Sequence, residues 1–342
     1  MNTLSWKLAS SLYQLGTKWN RWAHENGVLA STRFPVPVVC VGNLTAGGAG
    51  KTPSVLWLAE HLVSLGRRPV IVSRGYGRIG DPDEPFIVSD GKNVFGMAYD
   101  SGDEPLLLAR RLKQVPVVVC ADRVRGVSRA IDALSADSVI LDDGFQHFQL
   151  SRTMDIVCLN ALNPWGAGVL VREGRDGLKR AQVAFVTRAN LVAEERLLLI
   201  ESEIHQSAPE LSVVLMDESI LFLNPATGRV ESPDWAKGQR VMALSAIAGP
   251  AGFERSLQRA GLEIISSRRF PDHHLFRQRE LDECLSVAQR ENLLVVTTEK
   301  DFQRLPAQFP CLVAVLNFSP RKSNASDGAE EPWKQKIRSL FS

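Results

Sequence analysis

The chain has 342 residues, 44% hydrophobic and 23% charged, with a formal net charge of +2. That length predicts two domains on the usual scale of roughly 100–200 residues each, and the composition is that of a globular protein. So small a charge argues for neither a nucleic-acid nor a membrane partner, and no nucleic-acid binding is expected. No apolar run nears the roughly 18 residues of a membrane-spanning helix. The five cysteines (Cys40, Cys120, Cys158, Cys284, Cys311) are scattered without a C-x-x-C pair, which argues against a disulfide frame or a zinc site. All but Cys284 lie in apolar runs, as buried thiols of a reducing compartment do.

Residues 1–30 read as one amphipathic helix. Leu4, Leu8, Leu12, Leu15, Trp19 and Trp22 recur at helical spacing, a stripe about 27 Å long at 1.5 Å per residue. Trp6 and Tyr13 widen it, and Lys7, Lys18 and Arg21 add positive charge. The segment lacks the compact apolar core and cleavage site of a signal peptide. Two readings stay open: a helix lying in a membrane interface, where such rings settle, or a helix packed on the protein's own core.

Residues 31–210 read as a P-loop domain. The apolar strand Val38–Val41 enters Gly42-Asn-Leu-Thr-Ala-Gly-Gly-Ala-Gly-Lys-Thr-Pro53, followed by a helical stretch from Ser54 to Leu65. This is the strand–loop–helix context in which glycines let backbone N–H groups surround phosphate oxygens at a helix N-terminus. The expected phosphate cradle is Thr45, Ala46, Gly47, Gly48, Ala49, Gly50, Lys51 and Thr52, with Lys51 reaching the β- and γ-phosphates and Thr52 on Mg²⁺. One position departs from the usual G-x-x-x-x-G-K-[ST] pattern, which has glycine where this chain has Thr45.

Further short strands alternate with helices: Pro69–Ser73, Val115–Cys120, Ser138–Leu141, Met154–Leu159 and Ala181–Thr187. The pattern predicts an α/β fold, a P-loop parallel sheet with helices on both faces. Ligands of such sheets bind beyond the strand ends, which gathers the P-loop, Arg74 to Arg78, Asp122-Arg123 and Asp142-Asp143 on one edge. Asp142-Asp143 has the shape of a Walker B pair, one carboxylate of which would hold Mg²⁺. Asp103 opens a predicted helix through Leu112; there Ser101 and Glu104 fit a capping box, and locally Asp103 is a first-turn residue favouring the dipole. Arg74, Arg78, Arg123 and Arg172 fall at strand ends or glycine loops and suit a phosphorylated substrate.

After residue 210 the pattern changes. Leu211–Met216 and Ile220–Leu223 with the turn Asn224–Gly228 predict a two-stranded linker over 211–238. A smaller C-terminal α/β domain is expected over 239–342, containing Phe270-Pro-Asp-His-His274, with Ser319–Glu331 as a loose tail. His273 or His274 is the best histidine to assist a hydroxyl acceptor.

Taken together, these motifs resemble the tetraacyldisaccharide 4′-kinase family of lipid A biosynthesis. The matching stretches are Val41–Pro53, Ser73-Arg-Gly-Tyr-Gly-Arg78, Gly102-Asp-Glu-Pro105, Ala121-Asp-Arg123, Leu141-Asp-Asp-Gly-Phe-Gln-His147, Arg172-Glu173, Phe270–His274 and Thr297-Thr-Glu-Lys-Asp301. They span residues 1 to about 305 in the family's order, and the family's loop is itself irregular at the position of Thr45. One departure is Val171-Arg-Glu-Gly174, where Leu-Arg-Glu-Pro is usual and proline would stiffen the loop. The resemblance implies ATP- and Mg²⁺-dependent transfer of the γ-phosphate to the 4′-hydroxyl of a tetraacyldisaccharide 1-phosphate, giving lipid IVA. It implies Asp103 and His273 as the catalytic pair and Asp142 and Asp143 as the metal-site pair. Tyr76, Arg123, Gln146 and His147 match positions in substrate or nucleotide contact.

The resemblance also implies a peripheral or monotopic enzyme of the bacterial inner membrane, its site facing the cytoplasm, its acceptor a lipid in the bilayer; a monomer is expected. Closure of the second domain would bring His273 to Asp103. A membrane-associated ATPase switch of the MinD type shares Gly-Gly-x-Gly-Lys-Thr, but it carries a lysine where this chain has Ala46 and lacks Asp-His-His. A nucleotide-dependent metal chaperone would need the thiol or histidine cluster that is missing here.

Overall fold

Runs of Val, Ile and Leu form the strands, which we label in chain order. They are β1 Val38–Asn43, β2 Pro69–Ser73, β3 Phe86–Ser89, β4 Val117–Val119, β5 Ser138–Asp142, β6 Met154–Asn160, β7 Val183–Thr187, β8 Ser212–Leu223, β9 Val230–Glu231, β10 Arg240–Ser245, β11 Glu263–Arg269, β12 Leu294–Thr298 and β13 Leu312–Pro320. The structure, a computed structural model, describes residues 3–306, 308–322 and 331–341. The chain forms two compact units, Met1–Glu218 with Phe318–Ser342, and Ser219–Asn317. The C-terminal 25 residues, expected with the second domain, thus belong to the first unit.

In the first unit the strand order is β8-β7-β6-β1-β5-β2-β4-β3, parallel except for β3, which runs antiparallel to β4. Every residue of β1, β2, β5 and β7 is buried, because helices cover both faces and no side needs polar residues. One face packs the helices Lys51–Ser64, Asp103–Arg111 and Pro332–Arg338 through Leu58, Leu106, Leu108, Trp333 and Ile337. The other packs Arg123–Leu134 and Glu194–Ser207 through Val127, Leu197, Ile200 and Ile204. All five cysteines are buried and free, as expected.

The helix at Asp103 is capped differently from expectation. Its N-cap is Gly102, at φ 87, with no side-chain cap, while the Ser101 hydroxyl donates to the carbonyls of Met97 and Gly102. The expected pair of strands over 211–223 is one twelve-residue strand, β8, since Asp217-Glu218 is no turn. Glu218 pairs with Arg188 at 2.8 Å and Asp217 with Arg321 at 2.9 Å, so the acidic residues stay in the strand. Across the turn 224–228, β9 pairs with Phe222 and Leu223.

The helix Thr3–Glu25 buries Thr17 and Ala23, and Arg21 reaches Glu173 at 3.3 Å. Leu15, Trp19 and Trp22 are 65%, 63% and 53% exposed, so this part of the expected stripe is not packed on the protein's own core. The side chains of Leu4, Trp6, Leu8, Leu12 and Tyr13 lie outside the described residues. Among the described residues no helix is long and apolar enough to cross a membrane. The second unit has the parallel order β11-β10-β12-β13 with the helices Pro250–Arg259 and Gln278–Glu291.

Candidate active site

The strand β1 delivers the chain to its glycine loop. Thr45 forms an antiparallel bridge with Val171, and the Ala46 N–H donates to Leu170 O at 2.7 Å. Bridge geometry is extended and needs no glycine, which is why threonine fits here; a Cβ on Gly166 would lie 2.5 Å from the Thr45 methyl. The left-handed positions fall instead on Gly47, φ 82, and Gly50, φ 79. A Cβ on Gly50 would lie 2.4 Å from the Phe318 ring.

The loop is braced from the ends of β6 and β7, by residues that sequence reasoning missed. Asn160 Nδ2 and Arg188 Nη1 donate to Gly48 O at 3.1 and 2.9 Å, and Thr187 Oγ1 donates to Ala49 O at 3.0 Å. Their one sequence signal is position, immediately after or at the end of parallel strands. The Ala46 and Ala49 amides are bonded internally, to Leu170 O and Gly47 O, so neither serves a phosphate in this conformation. Beyond Gly50 the helix Lys51–Ser64 begins with the Lys51 and Thr52 amides, which precede its first hydrogen bond, from the Ser54 N–H to Gly50 O at 3.2 Å.

Lys51 Nζ lies 3.4 Å from Asn43 Oδ1 and 3.6 Å from Asp143 Oδ1. Asn43, likewise missed, also donates to the Thr45 carbonyl and so ties lysine and loop together. Asp143, at φ 55, takes both of its carboxylate oxygens to Arg172 Nη1, at 2.8 and 3.1 Å. Burial alone would raise the Asp143 carboxyl, but Lys51 and Arg172 outweigh it and hold it below its ordinary value.

Asp142 is the opposite case. It is 3% exposed, accepts from Ser73 Oγ at 2.9 Å, and leaves its buried Oδ1 without a hydrogen-bond partner. Burial, then the charges of Glu104 and Asp143, push its carboxyl up to about 7 against the pull of Lys51. A carboxylate oxygen orphaned beside a phosphate loop is what a divalent cation relieves. Among the described residues no group of three or more His, Cys, Asp or Glu is placed to cage a metal. Mg²⁺ takes one or two carboxylates and completes its shell with phosphates and water.

Asp103 is the buried first residue of its helix. The loop carrying Tyr76 is packed against this helix start, since a Cβ on Gly102 would lie 2.7 Å from Tyr76 O. Tyr76 itself is 70% exposed. Of the four arginines, Arg78 donates to the carbonyls of Asp81 and Glu84, shaping its own loop. Arg172 holds Asp143, and buried Arg123 donates to Ala121 O at 2.6 Å. Burial and neighbouring Arg74 lower the Arg123 guanidinium, against the pull of Asp143 and Asp142.

Gln146 Nε2 donates to Asn43 O at 3.0 Å, which makes it a support of the β1 end. His147 has a buried Nε2 without a hydrogen-bond partner; burial, then Arg123 and Arg152, lower its pKa to about 4, so its ring is neutral at physiological pH. Buried Glu173 accepts from Arg180 Nη2 at 2.6 Å. Gly174 holds φ −72, the angle a proline would lock, so the glycine keeps the conformation of the usual residue there.

In the second unit, His273 has φ 61 and its N–H donates to Ala246 O at 3.2 Å. His274 pairs through Nε2 with Glu280 Oε2 at 2.8 Å and stacks on Phe270. His274 is therefore engaged structurally by Glu280 and Phe270.

The sequence model of the tetraacyldisaccharide-1-P 4′-kinase family matches residues 3–330. A tetraacyldisaccharide 4′-kinase of Anaeromyxobacter sp. (strain Fw109-5) is 38% identical over 87% of this chain and 81% of its own length. One from Halothermothrix orenii is 36% identical over 86% and 80%. The crystal structure of the "apo" form of LpxK from Aquifex aeolicus in complex with ATP matches with a TM-score of 0.76 and 28% identity, covering all of both chains.

Proposed function

The chain belongs to the tetraacyldisaccharide-1-P 4′-kinase family, and on that premise we propose which of its residues carry the reaction. The reaction is transfer of the γ-phosphoryl group of ATP to the 4′-hydroxyl of a tetraacyldisaccharide 1-phosphate, giving lipid IVA in lipid A biosynthesis. The observation that carries the assignment is the cluster at the N-terminus of helix Lys51–Ser64. There Lys51 lies 3.6 Å from Asp143, in a strand-end pair whose other member, Asp142, keeps an orphaned buried oxygen.

The loop Thr45 to Thr52 wraps the triphosphate, the Ala46 and Ala49 amides holding the loop's own shape and Lys51 countering the phosphate charge. Thr52 and Asp142 would hold Mg²⁺, with Asp143 holding Lys51 and Arg172 in place behind them. Bound there, Mg²⁺ would neutralise charge that develops on the transferring group. Asp103 accepts the proton of the 4′-hydroxyl, and His273 is the second catalytic residue. Arg123, Tyr76 and the neutral ring of His147 contact the disaccharide phosphate or the nucleotide. The exposed face of Leu15, Trp19 and Trp22 supports peripheral attachment to the inner membrane, with the site on the cytoplasmic side.

The test is transfer of labelled γ-phosphate from ATP to the lipid disaccharide, with ATP hydrolysis in the absence of lipid as the control. Asp103→Ala should lower kcat by about 10²–10⁴-fold with ATP affinity little changed. Lys51→Ala should weaken ATP binding as well. Near-normal turnover in the Asp103 variant would remove it from the reaction.

A further inference from the structure

Within the second unit, the stretch Thr297-Thr-Glu-Lys-Asp301 is built around His273. Asp301 is fully buried and accepts from the Ala246 N–H at 3.0 Å, from Thr298 Oγ1 at 2.7 Å and from Arg304 Nη2 at 2.6 Å. The Ala246 carbonyl in turn accepts from the His273 N–H, and Arg304 Nη1 donates to His274 O at 2.8 Å. Thr298 caps the short helix Glu299–Phe302 by accepting from the Asp301 N–H at 3.1 Å. The loop that holds His273 in its left-handed conformation is therefore clamped to the same turn that carries Lys300. A left-handed β-carbon residue persists only where its surroundings over-determine it.

From that turn Lys300 Nζ reaches His273 Nε2 at 3.2 Å. Asp272 Oδ1 is 3.9 Å from the same nitrogen, too long for a hydrogen bond, and 3.6 Å from Lys300 Nζ. An ammonium has three donors and no acceptor, so Nε2 must offer its lone pair. The ring proton then sits on Nδ1.

We propose that Lys300 is a positioning residue of the phosphotransfer, fixing His273 as the uncharged Nδ1–H tautomer. Nδ1–H is then the ring's one N–H donor, and with Nε2 engaged the ring cannot turn over without breaking the lysine contact. Asp272, beside Lys300, keeps the ammonium in place. The inference rests on the role given above to His273.

Two readouts test it in the full chain. In protein with ¹⁵N-labelled histidine, the His273 signals, assigned by their loss in His273→Asn, should show an unprotonated Nε2 and a protonated Nδ1. Lys300→Met should populate Nε2–H, and Lys300→Arg, which keeps cationic donors, should restore the native pattern. Protonation of Nε2 in the unmodified protein overturns the proposal even if the Met variant fails to fold. In kinetics, Lys300→Met should lower kcat about 10–100-fold with KM for ATP unchanged, Lys300→Arg should recover most of it, and Lys300→Met added to His273→Ala should cost less than about 2-fold more. An additive loss in the double variant, or full activity of Lys300→Met beside a crippled His273→Ala, overturns the lysine's role and leaves that of His273 standing. Normal turnover in His273→Ala would instead remove His273 itself, and the proposal with it.

Discussion

Adjacent carboxylates, Asp142 and Asp143, are driven in opposite directions by what lies within reach of each. Asp143 faces two cations and stays charged; Asp142, buried and repelled by the charges of Glu104 and Asp143, is pushed up to about 7. The raised group makes a pH-dependent prediction. In the unfolded chain Asp142 ionises near its ordinary value of 3.8, so the folded state carries a growing cost as pH rises from there towards 7, and none below it. Asp142→Asn should therefore stabilise the ligand-free protein by about 1–3 kcal/mol at pH 8, the gain fading as pH falls to 4. Denaturant titrations across that range check it. A gain independent of pH would mean that packing, not charge, is responsible. Mg²⁺ with ATP should stabilise the native protein more than the variant, since the native carboxylate gains a cation.

At the scale of elements, the nucleotide loop owes its shape to neighbours distant in sequence. Asn160, Thr187 and Arg188 hold the carbonyls of Gly48 and Ala49, and Phe318 from β13 closes on Gly50. The helix that follows is backed by the C-terminal helix Pro332–Arg338, where buried Trp333 meets Trp57 at a ring distance of 5.3 Å and His61 at 5.8 Å. Trp333→Ala should cost about 3–5 kcal/mol of stability by leaving a cavity against helix Lys51–Ser64, while phosphotransfer well below the melting temperature persists. Thermal unfolding beside the activity assay decides this; an unchanged melting temperature would detach the C-terminal helix from the support of the loop.

For the whole molecule, β8 and β13 each carry the chain across the limit between the two units, and the N-terminal helix turns an aromatic face outward. Arg21 and Ala23 belong to the inner side of that helix, and Arg21 pairs with buried Glu173 near the strand ends. Removing the helix would strip Glu173 of a cation, so a cleaner test of membrane attachment changes the outward face alone. Leu15→Ser, Trp19→Ser and Trp22→Ser together should lower binding to anionic lipid vesicles by about 10-fold or more, with ATP affinity unchanged. Undiminished sedimentation with vesicles would place the attachment elsewhere.

Local chemistry made much of this protein legible from its residues. A glycine loop between a buried strand and a helix points to phosphate because that backbone presents converging amides, and the acidic pair at the end of β5 follows from the same geometry. The alternating pattern was sufficient for a doubly covered parallel sheet, since burial on both faces writes itself as continuous Val and Ile. Other features depend on contacts between residues far apart in the chain, which no local pattern records. Thr45 fits because Val171 pairs with it, and β8 runs through Asp217-Glu218 because Arg188 and Arg321 neutralise them. Cap geometry at Gly102, the return of the chain to the first unit from Phe318, and the lysine that reaches His273 Nε2 were likewise decided only by tertiary structure. Hydrogen bonds and ion pairs between distant residues have no period, so their partners become visible only when the fold brings them together.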